Sequence, residues 1–256
     1  MKAIYSKYDY DVSSATDIGF MRFDQENQDE LILQDDIGFY AVLDGMGGLH
    51  GGGIASHMAK HIFPDLMREA LHDVAENQTI SHMANILNEQ VVYLSDSIYE
   101  SSNRIYLTSG STISGVWLAE DRAIFVNMGD SRGYHLPNGE KEIRQITRDH
   151  NEAALLVEKG RLSKEKAIGH PLSCELTAFI GMKPSTAPDI FIQSLQPGDK
   201  ILLCTDGLYG MVKEKRISSI LNAPKSLDMI CSQLVNEANE NGGDDNIAVI
   251  CIEIKS

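Results

Sequence analysis

The sequence predicts an α+β fold in which two mainly antiparallel sheets pack face to face and helices lie outside both. The predicted strands follow one another along the chain instead of alternating with helices, an order typical of antiparallel sheets. Three segments also show the period of amphipathic helices, and each of them needs an apolar sheet face to cover. Two packed sheets flanked by helices would bury all of these apolar faces.

The strand predictions depend on short apolar segments that are rich in β-branched residues. These segments cover residues 39–43, 112–118, 122–128, 189–195, 200–204 and 246–254, and a further strand is predicted at residues 30–33.

No internal repeat, low-complexity tract or Pro/Ser-rich linker interrupts the chain. We therefore expect a single domain over residues 1–256.

Helical periodicity predicts helices at residues 53–73, 80–101 and 227–240. Pro64 predicts a kink or a break in the first helix, and Thr79 and Ser226 are the predicted N-caps of the second and third. A shorter helix follows Asp149 and stops at Gly160, a normal position for glycine after a helix. The predicted apolar stripes are Ile54, Met58, Ile62, Leu66 and Ala70, then Met83, Leu87, Val91, Leu94 and Ile98, then Ile230, Leu234 and Val235.

The composition excludes several classes of protein. The chain is 43% hydrophobic and 23% charged, as is ordinary for a globular protein, and its formal net charge of −15 argues against binding to nucleic acid or anionic lipid. It has no apolar run long enough to span a membrane, and residues 1–10 lack the apolar region of a secretory signal. The four cysteines stand singly, which disfavours a zinc site and fits a reducing cytoplasm.

Aspartates lie at the ends of several predicted strands, most of them beside glycine. Asp-Gly is a common turn dipeptide, so each site alone would be interpreted as a turn. Four such sites in one chain instead indicate a shared cation site, with one more aspartate upstream. They are Asp44 after strand 39–43, Asp130 after 122–128, Asp206 after 200–204 and Asp245 before 246–254, with Asp29 before 30–33.

Oxygen ligands of this kind favour particular ions. Carboxylates that converge on one cleft raise one another's pKa unless a cation neutralises them. Without His or Cys, such a site favours hard ions, Mg²⁺ or Mn²⁺, and two ions about 4 Å apart can activate water for attack on phosphorus. The chain has no G-x-S-x-G elbow and no P-loop lysine motif, and His57 and His61 lack the glutamate of a zinc-protease motif.

These residues resemble the metal-dependent protein phosphatase family (PPM, or type 2C) in its compact bacterial form. Each motif alone is weak, but eight in family order, nearly from end to end, are highly specific. They are Thr16-Asp17-Ile18-Gly19 with Arg22, Asn27-Gln28-Asp29, Asp44-Gly45-Met46-Gly47-Gly48, Gly110-Ser111-Thr112, Gly129-Asp130-Ser131-Arg132-Gly133, Thr147-Arg148-Asp149-His150, Cys204-Thr205-Asp206-Gly207-Leu208 and Asp245-Asn246-Ile247. The segment from Gly160 to Pro171 resembles the family's mobile flap, which we place at about residues 151–181.

The resemblance implies a four-layer αββα sandwich with two Mn²⁺ or Mg²⁺ ions at one end, and a metal-bridging hydroxide as the nucleophile. Asp44 would bridge both ions, while Asp206 and Asp245 would complete the shell of the first ion, directly or through water. The carbonyl of Gly45 would bind the second ion. Asp130, together with Asp206, would hold a weaker third ion.

Two further residues of the implied site are Asp29, a metal-site residue from the first acidic motif, and Arg22, which would clamp the substrate phosphate with its forked donors. Arg22 precedes Asn27 by five residues, whereas relatives usually have three. An alternative alignment restores that spacing but loses the aspartate. We choose the alignment with Asp29, because the number of residues between Asp29 and Asp44 and the predicted strand after Asp29 fit the family pattern better.

Other motif residues have structural interpretations. Ser111 and Thr112 are expected to fix the start of a strand, and His150 is expected to cap or pack. Arg132 is interpreted either as a structural partner of Asp130 or as a contact of the substrate.

The implied activity is hydrolysis of phosphoserine and phosphothreonine in proteins that a Ser/Thr kinase has modified, by a cytoplasmic monomer. The alternative is a non-catalytic regulator of the same fold that binds phosphoproteins. Loss of the bridging carboxylates would mark such a regulator, but Asp44, Asp206 and Asp245 are all present. A phosphatase dedicated to one partner protein also stays open. Met46 stands where some relatives carry a general-acid histidine, so the proton donor to the leaving alkoxide stays open as well.

Overall fold

Two antiparallel sheets form the centre of the structure, a computed structural model that describes residues 5–47, 52–72, 79–104 and 109–256. The strands are β1 (Tyr10–Asp17), β2 (Asp29–Gln34), β3 (Phe39–Met46), β4 (Gly110–Ser111), β5 (Ile113–Ala119), β6 (Arg122–Met128), β7 (Arg132–Leu136), β8 (Arg144–Gln145), β9 (Asp189–Ser194), β10 (Lys200–Cys204) and β11 (Ile247–Ile254). One sheet has the strand order β1-β11-β10-β7-β8. The other has the order β2-β3-β5-β6-β9, and β4 pairs with β3.

In the part of the chain that the structure describes, the helices fall into two long ones early in the chain and five shorter ones after β8. They are α1 (Gly52–His72), α2 (Ile80–Arg104), α3 (Glu152–Glu158), α4 (Lys164–Ala167), α5 (Asp206–Tyr209), α6 (Glu214–Leu221) and α7 (Leu227–Glu240). Short 3₁₀ turns lie at Phe20–Arg22 and Pro171–Cys174. Among the described helices, none has the length together with the apolar character needed to cross a lipid bilayer.

Three clusters of buried apolar side chains define four layers. The middle cluster lies between the two sheets and includes Tyr40, Phe125 and Ile250. A second cluster lies where α1 and α2 cover the β3 sheet, and a third where α5, α6 and α7 cover the β11 sheet. The predicted arrangement of two packed sheets with helices outside both, the αββα sandwich, is therefore confirmed.

The seven predicted strands all form, with small shifts at their ends. The sequence pattern does not predict β1, β7 or the two-residue strands β4 and β8. β1 is largely polar but pairs along its whole length with β11. β7 is buried throughout although it contains Arg132 and His135, so its composition conceals it. β1 and β7 form because of the partner strands beside them, and a pattern along the local sequence carries no information about those partners.

The helices α2 and α7 confirm their predicted stripes and caps. All five predicted apolar residues of α2 are buried, and the hydroxyl of Thr79 accepts a hydrogen bond from the backbone N–H of His82 at 3.2 Å. Ser226 likewise accepts one from the backbone N–H of Met229. The short helix α3 ends just before Gly160, whose φ of +66° suits glycine at this position.

The helix α1 differs from its prediction in two ways. It continues through Pro64, so the break that the sequence allowed does not occur. Pro64 is buried, and packing of the helix against the sheet and α2 outweighs the one backbone hydrogen bond that proline removes. The fully buried face is also displaced by one residue from the predicted stripe, which lies half-buried beside it. That buried face comprises Ala55, Ala59, Phe63 and Met67.

Strand pairing brings the acidic strand ends to one edge of the sandwich. In antiparallel sheets the end of one strand lies beside the start of the next, and Asp29 of β2 pairs directly with Asp44 of β3. Asp130 follows β6 beside the start of β5. Asp206 follows β10 beside the start of β11, which Asp245 precedes. Since β3 and β11 are also in contact across the sheets, both acidic edges meet.

Candidate metal centre

A cleft of about 380 Å³ opens where the acidic strand ends meet. Four of the aspartates singled out from the sequence line it, and Gly45 and Arg22 do so as well. Asp29 is buried and does not line the cleft, but it lies close enough to its neighbours to interact with their charges. The remaining lining residues are Gln25, Gln28, Met46, Gly47, Thr112, Cys174 and Leu176.

Hydrogen bonds from two threonines hold the β2–β3 side of the cleft. The hydroxyl of Thr112 accepts from the backbone N–H of Asp44 at 3.0 Å, and the backbone N–H of Thr112 donates to the carbonyl of Asp44 at 2.9 Å. The hydroxyl of Thr205 donates to Oδ2 of Asp29 at 2.8 Å and accepts from the backbone N–H of Ala248 at 2.9 Å. Thr205 therefore links the acidic ends of the two sheets.

Asp206 and Asp245 are brought together by a close approach of two backbones. A methyl group on Gly207 would lie 2.0 Å from the carbonyl oxygen of Asn246, so only glycine fits after Asp206. The side-chain amide of Asn246 accepts from the backbone N–H of Gln28 at 2.9 Å and donates to another backbone carbonyl. These contacts fix the loop that carries Asp245.

The cleft carboxylates oppose one another's ionisation. Burial raises the pKa of Asp44 well above its ordinary value, and the charges of Asp29 and Asp206 raise it further. Burial followed by the charge of Asp245 raises the pKa of Asp206 to about 6. For Asp130, burial and then the charge of Asp206 raise the pKa to about 8. The protein alone therefore does not neutralise this cluster.

One cation of the protein compensates part of this charge. Nη2 of Arg22 lies 2.9 Å from Oδ2 of Asp245, and both side chains are partly exposed. Burial raises the pKa of Asp245, and the guanidinium of Arg22 lowers it. Arg22 therefore stands at the mouth of the cleft, where it can exchange a carboxylate for a phosphate oxygen of similar geometry.

The donor set fits hard divalent ions. Within the described chain, Oδ1 of Asp206 is a buried oxygen without a hydrogen-bond partner, as expected for an atom that a cation would satisfy. The described His, Cys, Asp and Glu residues do not include three side chains arranged as a complete cage for one ion. Mg²⁺ does not need such a cage, because it keeps several waters and takes one or two carboxylates.

Gly45 permits a second close approach, beside Asp44. A methyl group there would lie 2.3 Å from the carbonyl oxygen of Gly52 and 2.7 Å from Oγ of Ser56. The start of α1 therefore packs directly on the backbone of β3. The sequence motif continues to Gly48, which lies outside the described residues.

Arg132 has a structural position, and its partner is Asp149 instead of Asp130. The guanidinium is buried, and its Nε and Nη2 donate to the two carboxylate oxygens of Asp149 at 2.9 and 2.6 Å. Its central carbon lies 3.7 Å from the ring centre of Tyr209, whose hydroxyl donates to the backbone carbonyl of Asp130 at 2.9 Å. Of the two interpretations left open, the structural one agrees with this buried position, but the partner is Asp149 and not Asp130, because the two carboxylate oxygens of Asp149 face the Nε and Nη2 donors of Arg132.

We expect Arg132→Met to lower the free energy of unfolding by about 3 to 5 kcal/mol, because it removes the cation that pairs with the largely buried charge of Asp149 and leaves only the hydrogen bond from Gln145. Urea denaturation measures this loss. The matched control is Arg216→Met, since Arg216 makes a similar forked pair with Glu237 on the surface and should change stability by less than about 1 kcal/mol. Similar losses in the two variants would contradict a structural role for Arg132.

The remaining motif residues are structural as predicted. Ser111 exchanges two backbone hydrogen bonds with Ile180. Thr112, which directly precedes β5, holds the backbone of Asp44 in β3. Nδ1 of His150 accepts from the backbone N–H of Gly129 at 3.2 Å, and its Nε2 lies 3.1 Å from Asp189.

Three residues of the cleft belong to no strand-end motif, namely Gln25, Cys174 and Leu176. Cys174 and Leu176 lie in the segment at residues 151–181 that the sequence assigned to the flap, whereas Gln25 had no role assigned. Thr205 belongs to a motif, and its position between a buried strand and Asp206 is the signal that could have identified it as a link. For Gln25 no local signal exists, since loop geometry alone brings it to the cleft.

Comparison with known proteins agrees with this geometry. The sequence model of the protein phosphatase 2C family matches residues 21–248. A serine/threonine phosphatase (stp) from Listeria welshimeri is 34% identical over 242 residues, which cover 93% of this chain and 93% of that protein.

Solved structures show the same fold. The serine/threonine phosphatase of S. agalactiae superposes with a TM-score of 0.82 at 30% identity, over 96% of this chain and 100% of the other. The catalytic domain of the serine/threonine phosphatase PstP, in complex with two manganese ions, gives 0.78 at 26% identity, over 96% and 99%. From the aspartates at the strand ends, the four-layer fold and these matches, we conclude that the chain belongs to the protein phosphatase 2C family.

Proposed function

We propose that this chain removes phosphate from phosphoserine and phosphothreonine in proteins, with Mn²⁺ or Mg²⁺ held by the carboxylates of its cleft. The single observation that carries the proposal is the meeting of aspartates from distant parts of both sheets in one cleft, with Arg22 at its mouth. Their unfavourable mutual charge is the kind of electrostatic cost that a protein retains for a function. The relatives named serine/threonine phosphatases supply the substrate class.

The family resemblance implies how the cleft residues would share two core ions, and we propose the same roles here. Asp44 would hold both ions, Asp206 and Asp245 would hold the first, directly or through water, and the carbonyl of Gly45 would hold the second. When bound, the ions supply an activated water and neutralise charge on the phosphate. The manganese complex of PstP supports this choice of ion.

Two more aspartates have supporting roles in this proposal. Asp130 and Asp206 would hold a weaker third ion, since the charge of Asp206 contributes to the raised pKa of Asp130. Asp29 is tied to Thr205 and adds negative charge beside Asp44.

Arg22 has the task of binding the substrate. Its guanidinium can present two parallel donors to two phosphate oxygens, which fixes the orientation of the phosphate as well as its charge. In the structure Arg22 instead pairs with Asp245 at 2.9 Å, with its side chain 30% exposed. We infer that an arriving phosphate takes over this guanidinium at a modest cost, since a partly exposed ion pair is weak.

The segment at residues 151–181 is proposed as a flap of the single domain 1–256. It contains α3, α4 and the 3₁₀ turn Pro171–Cys174, and it is anchored at its end by the pairing of Ser111 with Ile180. Its residues Cys174 and Leu176 form part of the cleft wall. Loops of this kind, held over a rigid scaffold, commonly select substrates.

We further propose that the protein acts as a monomer in the cytoplasm on targets of a Ser/Thr kinase. The cysteine thiols of Cys204, Cys231 and Cys251 are free and buried, which fits a reducing compartment. The alternative of a non-catalytic phosphoprotein-binding regulator is not favoured, because the carboxylates that would hold the ions are all in place.

Release of inorganic phosphate from a phosphothreonine peptide tests the proposed function. We expect turnover with Mn²⁺ or Mg²⁺, loss of turnover in excess chelator, and recovery when the ion is restored. A phosphotyrosine peptide of the same sequence is the control, and we expect it to be the poorer substrate. Full activity in saturating chelator would contradict the proposal.

A further inference from the structure

Three large apolar side chains project into solvent beside the cleft. Phe20, Met21 and Phe23 are 62%, 66% and 80% exposed. We call them the rim patch. Only five other large hydrophobic residues in the described chain are exposed, and they lie in separate elements. Single exposed hydrophobic residues are ordinary, but these three lie within four consecutive residues, and an exposed apolar cluster commonly marks a site of interaction.

The backbone beneath the rim patch is fixed. The backbone N–H of Phe20 donates to the side-chain oxygen of Asn239 at 3.0 Å, and that of Met21 donates to the carbonyl of Gly243 at 3.0 Å. The N–H of Gln25 donates to the carbonyl of Arg22 at 2.8 Å. A surface held in place before binding loses little entropy when a partner arrives.

The rim patch is continuous with the cleft. Arg22 lies between Met21 and Phe23 in sequence, and both Arg22 and Gln25 line the cleft. An extended chain advances about 3.3 Å per residue. A phosphorylated residue that reaches Arg22 therefore places its immediate neighbours along the chain within reach of the rim patch.

The charges around the rim patch point to the same occupant. Asp24 and Glu26 follow the patch in sequence, Asp244 follows the Gly243 carbonyl that accepts from Met21, and all three are exposed. The chain has a net charge of −15, so two copies that met through the patch would bring acidic residues face to face, and these would repel each other. A basic peptide would instead be attracted.

We propose that the rim patch docks the substrate polypeptide and takes an apolar side chain within about two residues of the phosphorylated residue. The acidic residues around it favour a basic residue in the same segment. This inference depends on the proposed function. It assigns the substrate class of the same site, namely phosphopeptides that are apolar and basic next to the phosphate.

Peptide kinetics test the docking. The substrates are phosphothreonine peptides and a small aryl phosphate. In the peptides, leucine or serine occupies, one position at a time, each of the two positions before and the two positions after the phosphothreonine. The residues beyond these positions are lysine in one set of peptides and serine in the other. The variant combines Phe20→Ser, Met21→Ser and Phe23→Ser. The control is Met229→Ser, which removes an exposed methionine, 56% exposed, from the surface of α7.

We expect wild-type protein to prefer one leucine peptide over its serine counterpart by about tenfold, the effect of about 1.4 kcal/mol. The triple variant should lose this preference through a higher KM while it hydrolyses the aryl phosphate at the wild-type rate. The variant Asp24→Asn with Glu26→Gln should lose the preference for lysine, and added salt should weaken that preference in the wild type. The control should match the wild type throughout.

Two outcomes would overturn the docking proposal. One is a leucine preference that is absent in the wild type or unchanged in the triple variant. The other is an equal loss of activity on the aryl phosphate, which would show that the turn acts only by holding Arg22. Wild-type protein that hydrolyses neither peptides nor aryl phosphate with Mn²⁺ would instead overturn the proposed function, and the docking proposal with it.

Discussion

Replacing Asp44 by asparagine is expected to lower kcat/KM on phosphothreonine peptides by at least about a thousandfold. Such a loss corresponds to about 4 kcal/mol of transition-state stabilisation, the order expected if Asp44 is, as proposed, the carboxylate that two ions would share. The amide has the shape of the carboxylate but neither its charge nor a second anionic oxygen. Phosphate release at saturating Mn²⁺ measures the effect.

The same substitution should leave the fold intact. Burial and neighbouring carboxylates raise the pKa of Asp44, so the ionised form is unfavourable in the metal-free protein. A neutral amide removes that repulsion, and we expect Asp44→Asn in chelator to melt at or above the temperature of the wild type. Asp65→Asn is the control, since Asp65 is an exposed aspartate of α1, 85% exposed, and should change neither property.

An Asp44→Asn variant that retains even a tenth of wild-type activity would disprove the assignment of Asp44 to both ions. A variant that is inactive but also fails to fold would be uninformative alone. Asp206→Asn then provides the second measurement, because Asp206 also lines the cleft and its buried Oδ1 has no hydrogen-bond partner in the described structure.

The second large effect concerns stability against pH. In excess chelator, we expect the melting temperature to fall as pH rises from 5 to 8. The pKa of Asp206 is raised to about 6 and that of Asp130 to about 8 in the folded protein. Between the ordinary pKa of aspartate, about 4, and these values, the folded state binds more protons than the unfolded state, so each rise in pH favours unfolding.

Divalent ions should reverse this trend. An ion at a hundred times its Kd stabilises the folded state by about 2.7 kcal/mol, which for a chain of this size corresponds to a rise of about 5 to 11 °C in Tm. The ion-dependent rise in Tm should be smaller at pH 5 than at pH 8, because at pH 5 protons compete with the ion for the same carboxylate oxygens. Differential scanning fluorimetry with Mg²⁺ or Mn²⁺, against chelator, measures both trends.

The Asp44→Asn variant separates this cause from general effects of ions and pH. It should lose most of the ion-dependent rise in Tm. If the metal-free wild type instead became more stable from pH 5 to 8, or if the ion raised Tm equally in wild type and variant, the carboxylate cluster would not be the ion site.

Local sequence determined most of the secondary structure, because hydrophobic period and caps are local signals. The stripe of α2, the Ser226 cap of α7 and the glycine after α3 follow directly from neighbouring residues. The identity of the acidic residues was also readable, since aspartates that recur at strand ends form a pattern along the chain. This pattern already indicated one shared cation site, and the family resemblance assigned an expected role to each aspartate.

Tertiary structure alone decided which partners those residues have. The polar strand β1 forms because β11 lies beside it, and α1 continues through Pro64 because its packing outweighs a lost hydrogen bond. Arg132 pairs with Asp149 instead of Asp130, and Phe20, Met21 and Phe23 are exposed although their composition would place them in a core. Each outcome depends on groups distant in sequence, whose distances arise only when the chain has packed.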